Sequence, residues 1–243
     1  MVLTEAQRSH FRKEGFVVLE AALNPSELAG LRDECARRYD TMRSQMDAVG
    51  ADTLGLTHRD RRYFLHAPHQ ESEFLSRFLF SDTVVGPAAA LLGPDVYLFL
   101  ELFVLKCGIV GSAMAWHQDG GYLMGTDHQP YLSIWIALDD MSSRNGTLAV
   151  LPFPRAGGDA LVEHVRDPRS NDRVGYTGAD VGEVLEVPAG SMVLMASTLL
   201  HRSLPNADPA PRRAFLVSYS AAPITGPDGA LWNMAEPCRG RHA

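Results

Sequence analysis

Lysine is almost missing from this 243-residue chain: Lys13 and Lys106 stand against twenty arginines. The skew reflects composition more than mechanism, but it makes Lys106 conspicuous. Cysteine is scarce as well. Cys35, Cys107 and Cys238 lie far apart and form no C-x-x-C pair, which argues against a disulfide framework or a zinc knuckle. No apolar run approaches the roughly 20 residues that cross a bilayer, so no membrane partner is expected. The opening Met1-Val2-Leu3-Thr4-Glu5 lacks a basic segment and an apolar core, and the expected location is the cytoplasm. An excess of positive charge is also absent. The net charge of −7 speaks against nucleic acid as a general partner.

What is present is ordinary for a globular protein: 46% hydrophobic and 21% charged residues, enough chain for one substantial core. No Ser/Gly linker divides it, so residues 1–243 read as a single domain, a monomer or small homo-oligomer. Thr4-Glu5-Ala6-Gln7 has the form of a capping box opening a helix that ends at Gly15. Asn24-Pro25-Ser26-Glu27 opens a second, with an Asn cap and Pro at the first helical position. In it Leu28, Leu31, Cys35, Tyr39, Met42 and Met46 recur at steps of three and four, one face to brace a sheet. Residues 47–62 read as a polar loop, and helical patterns return over 71–80 and 82–92. From residue 95 the texture changes to short strand-like runs, 96–107, 113–117, 132–138, 147–151, 182–187, 191–196 and 214–220, separated by turn residues. Helices over 1–94 and strands over 95–221 predict a mainly β protein, an antiparallel jelly roll braced by N-terminal helices. The polar, glycine-containing stretch 153–181 is expected to be a lid inserted between strands.

The chemistry concentrates in Trp116-His117-Gln118-Asp119-Gly120-Gly121 and in Leu199-Leu200-His201-Arg202-Ser203. In extended chain, residues at i and i+2 point to the same side. His117 and Asp119 can therefore reach one ion together, with His201 completing the set from a distant strand. Two histidines and one carboxylate on one face of an octahedral metal are the ligands of non-haem Fe(II) oxygenases. An H-x-D tripeptide alone is weak evidence, since nine histidines make a chance occurrence easy. The surroundings strengthen it. His201 follows the apolar run Met192-Val193-Leu194-Met195-Ala196, Arg212 lies eleven residues beyond, and Trp135 sits in a strand-like run sixteen residues after Asp119.

With Gly15-Phe16-Val17-Val18-Leu19, Asn145-Gly146-Thr147-Leu148 and His201-Arg202-Ser203-Leu204-Pro205-Asn206 in the same order, the chain resembles the phytanoyl-CoA dioxygenase-like (PhyH) group of Fe(II)/2-oxoglutarate oxygenases. The matching segments run from about residue 5 to residue 221. The resemblance implies a double-stranded β-helix, with Fe(II) on His117, Asp119 and His201, 2-oxoglutarate as co-substrate and O₂ as oxidant. It also implies Arg212 for the distal carboxylate, whose pairing suits the planar guanidinium fork. Ser203 becomes an added donor and Trp135 a neighbour on the co-substrate side. Gln118 and Lys106 are counted with the co-substrate set, although a strand-end surface lysine is an equal reading of Lys106. Arg213, one residue on, should face the other way as a solvated strand end.

His66 and His69 read as loop residues, one of them a candidate for the pocket wall. Pro68 and the spacing argue against zinc there. His10, His58, His128, His164 and His242 read as surface residues. The function expected is hydroxylation or other oxidation of an unactivated C–H bond in a small molecule, a natural product or other small metabolite, with succinate and CO₂ released. Asp119 occupies the position that halogenation would need open, whereas desaturation and ring formation stay open. So do two other readings. One is a non-catalytic metal-binding jelly roll. The other is an acyl-CoA hydroxylase, for which Arg59, Arg61 and Arg62, or Arg166, Arg169 and Arg173, would bind the phosphates.

Overall fold

A computed structural model describes residues 2–123 and 128–238; His242 lies outside the described residues. Helix α1 (Glu5–Glu14) opens on the Thr4/Gln7 capping box and closes at Gly15. Gly15 has φ +86°, and a Cβ there would strike the Phe153 ring at 2.7 Å, so glycine is required twice over. Strand β1 (Phe16–Leu19) follows, then helix α2 (Pro25–Val49) with its Asn24 cap. Of the anticipated face of α2, Leu31, Cys35 and Met46 are buried, and Leu28, Tyr39 and Met42 pack beside them.

Residues 47–62 are not simply a loop. They hold β2 (Thr53–Leu54) and β3 (Thr57–His58), and β4 (Arg62–His66) follows. Helices α3 (Glu73–Phe78) and α4 (Asp82–Leu92) then lead into β5 (Tyr97–Lys106), β6 (Met114–His117), β7 (Tyr131–Ala137) and β8 (Leu148–Leu151). Next come the short α5 (Phe153–Ala156) and the strand pieces β9 (Val165–Arg166), β10 (Arg173–Val174) and β11 (Glu183–Val184). The chain ends with β12 (Met192–Ala196), β13 (Leu200–Ser203), β14 (Arg212–Ser220) and β15 (Glu236–Pro237).

Among the described residues these strands form two main antiparallel sheets. The larger runs β1-β12-β7-β14-β5-β4-β3-β2, with β15 added to β5; the smaller runs β11-β8-β13-β6. This is the double-stranded β-helix. The N-terminal region thus does more than brace it, because β1 to β4 are strands of the larger sheet. One face of that sheet packs on α2, α3 and α4 through Phe103, Ile134, Leu194, Phe215 and Val217. Its other face meets the smaller sheet. Both faces are covered, which is why every residue of β7 is buried. No helix among the described residues is long and apolar enough to cross a membrane.

The segment 153–181, expected as a lid, lines no part of the cavity between the sheets. It is fastened alongside β6. Asp172 is buried and paired with the equally buried Arg62 of β4, while its Oδ2 accepts the Ala115 N–H at 2.9 Å. Arg62 also donates to the carbonyls of Leu56, Ala113 and Ser170. Removing one side of a buried ion pair costs about 3–5 kcal/mol, because the other charge is left without compensation. Asp172→Ala should lose stability on that scale in urea unfolding, and an unchanged midpoint would mean that the pair contributes nothing net.

Candidate metal centre

His117 ends β6, and Gln118 continues in extended geometry (φ −112°, ψ 138°) before a 3₁₀ turn begins at Asp119. The i, i+2 relation therefore holds across the strand end. β13 pairs with β6 so that His201 lies directly opposite His117, with ring centroids 4.2 Å apart. One ligand atom each from His117, Asp119 and His201 falls within 4.8 Å of the others, and among the described residues this is the one such cluster.

Each imidazole is fixed by its own backbone. The His117 Nδ1 sits 2.8 Å from the Ala115 carbonyl, and the His201 Nδ1 sits 3.0 Å from that of Leu199. A carbonyl only accepts, so both Nδ1 atoms donate, which leaves Nε2 as the nitrogen that each ring turns inward. Each Nε2 is 3.6 Å from Asp119 Oδ1. Burial, helped by the neighbouring His117, pushes His201 down to about 4, so it is a neutral base at ordinary pH. Burial alone would raise the Asp119 carboxyl. The two rings and the Ser133 hydroxyl outweigh it and hold the group well below the usual carboxylate range. A carboxylate and two imidazole nitrogens around one point are a donor set that fits a divalent cation.

Ser133 was not anticipated. Its Oγ donates to Asp119 Oδ2 at 2.5 Å, a contact that orients the carboxylate. A signal existed: Ser133 is the lone small polar residue in the otherwise apolar strand Tyr131–Ala137, and it is wholly buried.

The cavity between the sheets has a volume of about 360 Å³ and is lined by all three of these groups together with Ser203, Trp135 and Arg212. Arg212 is 1% exposed. Its Nη2 donates to the Gly146 carbonyl, while Nε and Nη1 are buried with no partner among the described residues. Burial drives its pKa down to about 10, and the Trp135 ring lies 5.7 Å from the guanidinium carbon. Arg213 faces the other way, as expected, but it is no loose strand end. It makes two hydrogen bonds to the Asp139 carboxylate, at 2.6 and 3.1 Å.

Several expectations need correction. Lys106 is not at the surface: it is 1% exposed, is absent from the cavity wall, and donates to the Leu204 carbonyl. Burial and the charges of Arg212 and Arg62 push its ammonium well below the ordinary lysine value. Gln118 turns away from the cavity. Its amide donates to the carbonyls of Ala160 and Thr198 and accepts from the Val162 N–H. His164 is not a free surface residue either. Its Nε2 accepts the Gln118 N–H at 3.0 Å, and its ring lies between Gly121 and Gly175, where any Cβ would collide with it. His66 lines the cavity. His69 is buried against Glu101, at 3.0 Å. Of the arginines offered for CoA, Arg59 is paired with Asp47 and Asp52, and Arg62 is consumed by Asp172.

The family model for phytanoyl-CoA dioxygenase (PhyH) matches residues 11–214. The chain belongs to the phytanoyl-CoA dioxygenase family. Members of this family are non-haem iron, 2-oxoglutarate-dependent oxygenases. Ectoine dioxygenase of Nocardia farcinica is 27% identical over 236 residues, spanning 90% of this chain and 78% of its own. Among solved structures, EvdO2 from Micromonospora carbonacea complexed with 2-oxoglutarate superposes with a TM-score of 0.71 at 23% identity, over 94% of this chain and 95% of that one. The alpha-ketoglutarate-dependent epimerase SnoN of nogalamycin biosynthesis gives 0.71 at 18% identity, over 97% and 98%. At these identities the structural likeness speaks for the fold.

The corrected role of Gln118 can be tested without any ligand. Each hydrogen bond is worth about 0.5–1.5 kcal/mol net, and three are involved. Gln118→Ala should loosen residues 160–164 by about 2–3 kcal/mol, read as faster amide hydrogen exchange there. Unchanged exchange in that stretch would show that the insert is held by other contacts.

Proposed function

We propose that His117, Asp119 and His201 hold Fe(II), that Arg212 binds 2-oxoglutarate, and that the protein oxidises a C–H bond of a small molecule, hydroxylation being the default outcome. The observation that carries this reading is Arg212. A guanidinium with two unpartnered nitrogens, buried in the wall of the cavity that holds the His-Asp-His cluster, is costly unless an anion completes it. A metal-binding jelly roll without a co-substrate has no use for it.

When bound, the iron supplies the oxidising chemistry, in which 2-oxoglutarate and O₂ are consumed and succinate and CO₂ are released. The protein's own residues hold and orient. The two Nδ1–H bonds to backbone carbonyls keep both Nε2 atoms aimed inward, and Ser133 keeps Asp119 from rotating away. Arg212 presents its free N–H groups to the distal carboxylate of the co-substrate. Trp135 packs against the guanidinium and excludes water from that pair, which strengthens it. Ser203, on the strand of His201, adds a hydroxyl on the same side.

Truncating one partner of a buried charge pair costs about 2–5 kcal/mol, and about 1.4 kcal/mol is a factor of ten. Arg212→Ala should therefore raise the 2-oxoglutarate concentration needed for half-maximal succinate formation by about thirtyfold or more. Arg212→Lys should recover part of that loss, since an ammonium lacks the two-pronged geometry. Arg213→Ala, on the opposite face, should leave the requirement within about twofold. His117→Ala and His201→Ala should each abolish stoichiometric Fe(II) binding, measured anaerobically. Full turnover by either histidine variant would refute the metal assignment, and an indifferent Arg212→Ala would refute the co-substrate.

A further inference from the structure

Once the metal and co-substrate ends are allotted, the remaining wall of the cavity is almost free of charge among the described residues. This inference rests on that allotment. Strands alternate their side chains, so β5 turns Leu100, Leu102 and Val104 into the cavity and Glu101 and Phe103 away from it. Glu101 is wholly buried on the far face, where it accepts from the backbone and ring of His69. Phe64 on β4 and Leu216 on β14 complete the floor beside these leucines.

The polar groups on the wall are neutral and mostly committed. The Tyr122 hydroxyl accepts the Arg173 N–H at 3.2 Å, and the Asn233 amide donates to the Phe99 carbonyl at 2.7 Å. Ser218 pairs with Ser133 at 3.3 Å. Burial keeps the Tyr131 phenol un-ionised, well above its ordinary pKa. Among the described residues His66 is the one further titratable side chain on the wall, and it is exposed to solvent. Trp232, 40% exposed, lies in the wall near the C-terminal end of the chain, and Phe64 adds a second aromatic ring to the same lining.

We infer that the substrate is an uncharged molecule with a ring-built, mainly apolar body. A carboxylate or ammonium carried among Leu100, Leu102 and Leu216 would be stripped of water and would find no counter-ion among the described residues there. Flat aromatic faces reward rings with a large contact area at a small entropy cost. Free amino acids and other small zwitterions are thereby excluded as substrates.

The test uses three probes of one shape: naphthalen-2-ylmethanol, naphthalene-2-carboxylate and naphthalen-2-ylmethylammonium. The full chain is first loaded with Mn(II), which holds the site without turnover, and 2-oxoglutarate is titrated by calorimetry. Each probe is then titrated into the loaded protein. The alcohol should bind at least tenfold more tightly than either ion. Trp232→Ala, a surface substitution that leaves the core intact, should weaken the alcohol threefold or more. In protein without 2-oxoglutarate the carboxylate should bind, and the co-substrate should displace it, because Arg212 is then available.

Failure of 2-oxoglutarate to bind in the first titration overturns the co-substrate reading and this inference with it. If 2-oxoglutarate binds and either ion then matches the alcohol, the substrate class alone is overturned. An alcohol that does not bind, or that is indifferent to Trp232→Ala, also overturns it.

Discussion

The register between two short strands decides what this protein can do. β13 meets β6 with His201 directly opposite His117, and opposed side chains on one face of an antiparallel pair are near neighbours. A slip of one residue would send His201 to the outer face, where Arg202 now stacks over Trp116 at 4.8 Å. The pairing then shifts, so that Ser203 faces Met114 rather than Ala115. This bulge brings Met114 onto the cavity wall beside Ser203, a local re-aiming of side chains of the kind bulges commonly serve next to sites.

A second constraint comes from charge. Arg62, Lys106 and Arg212 occupy one row across β4, β5 and β14, and all three are buried. Three neighbouring cations in a protein interior repel one another and lose hydration together. The fold answers each differently. Arg62 takes the carboxylate of Asp172 and three carbonyls, Lys106 takes the Leu204 carbonyl, and Arg212 takes only that of Gly146. The compensation thins out toward the cavity. The member of the row that reaches the cavity is the one left with unpartnered nitrogens, which places the deficit where an anionic ligand can make it good.

Much of this was legible in the sequence, because it rests on local rules. Thr4, Asn24 and Gly15 mark helix ends by capping chemistry, and the strand runs from 96 onward match β5 to β8, β12 and β14 to within two residues or so. The H-x-D spacing and the later histidine gave the cluster, since extended geometry across Gln118 is a backbone property. What failed were tertiary placements. β4 was invisible because Arg62 and His66 bracket its apolar residues, and Arg62 is tolerated there because Asp172, 110 residues later, and three backbone carbonyls compensate it. Lys106 looked like a strand-end lysine for the same reason: its compensation is a carbonyl 98 residues away. Gln118 was grouped with its neighbours by sequence, yet adjacent residues in extended chain face opposite ways. His164 belongs to the insert, whose fastening could not be read from a polar composition.

The two sheets divide the work. The smaller sheet carries His117, His201 and Ser203, and the larger carries Trp135, Arg212 and the apolar floor. Neither half of the candidate site exists until the sheets close on each other. The cavity then holds an anionic carboxylate at one place and an under-compensated guanidinium at another, within a lining that is otherwise mainly apolar and aromatic among the described residues. Desolvating both charges is a cost that packing alone does not recover. Ligands that bind only the folded state shift the balance toward it by mass action, so a cation at Asp119 and an anion at Arg212 would stabilise the very closure that creates their sites. The two charges differ in how the fold meets them: Asp119 already has the Ser133 hydroxyl and two imidazoles around it, whereas Arg212 keeps two buried nitrogens without a partner among the described residues, so an anion at Arg212 would offset the larger deficit.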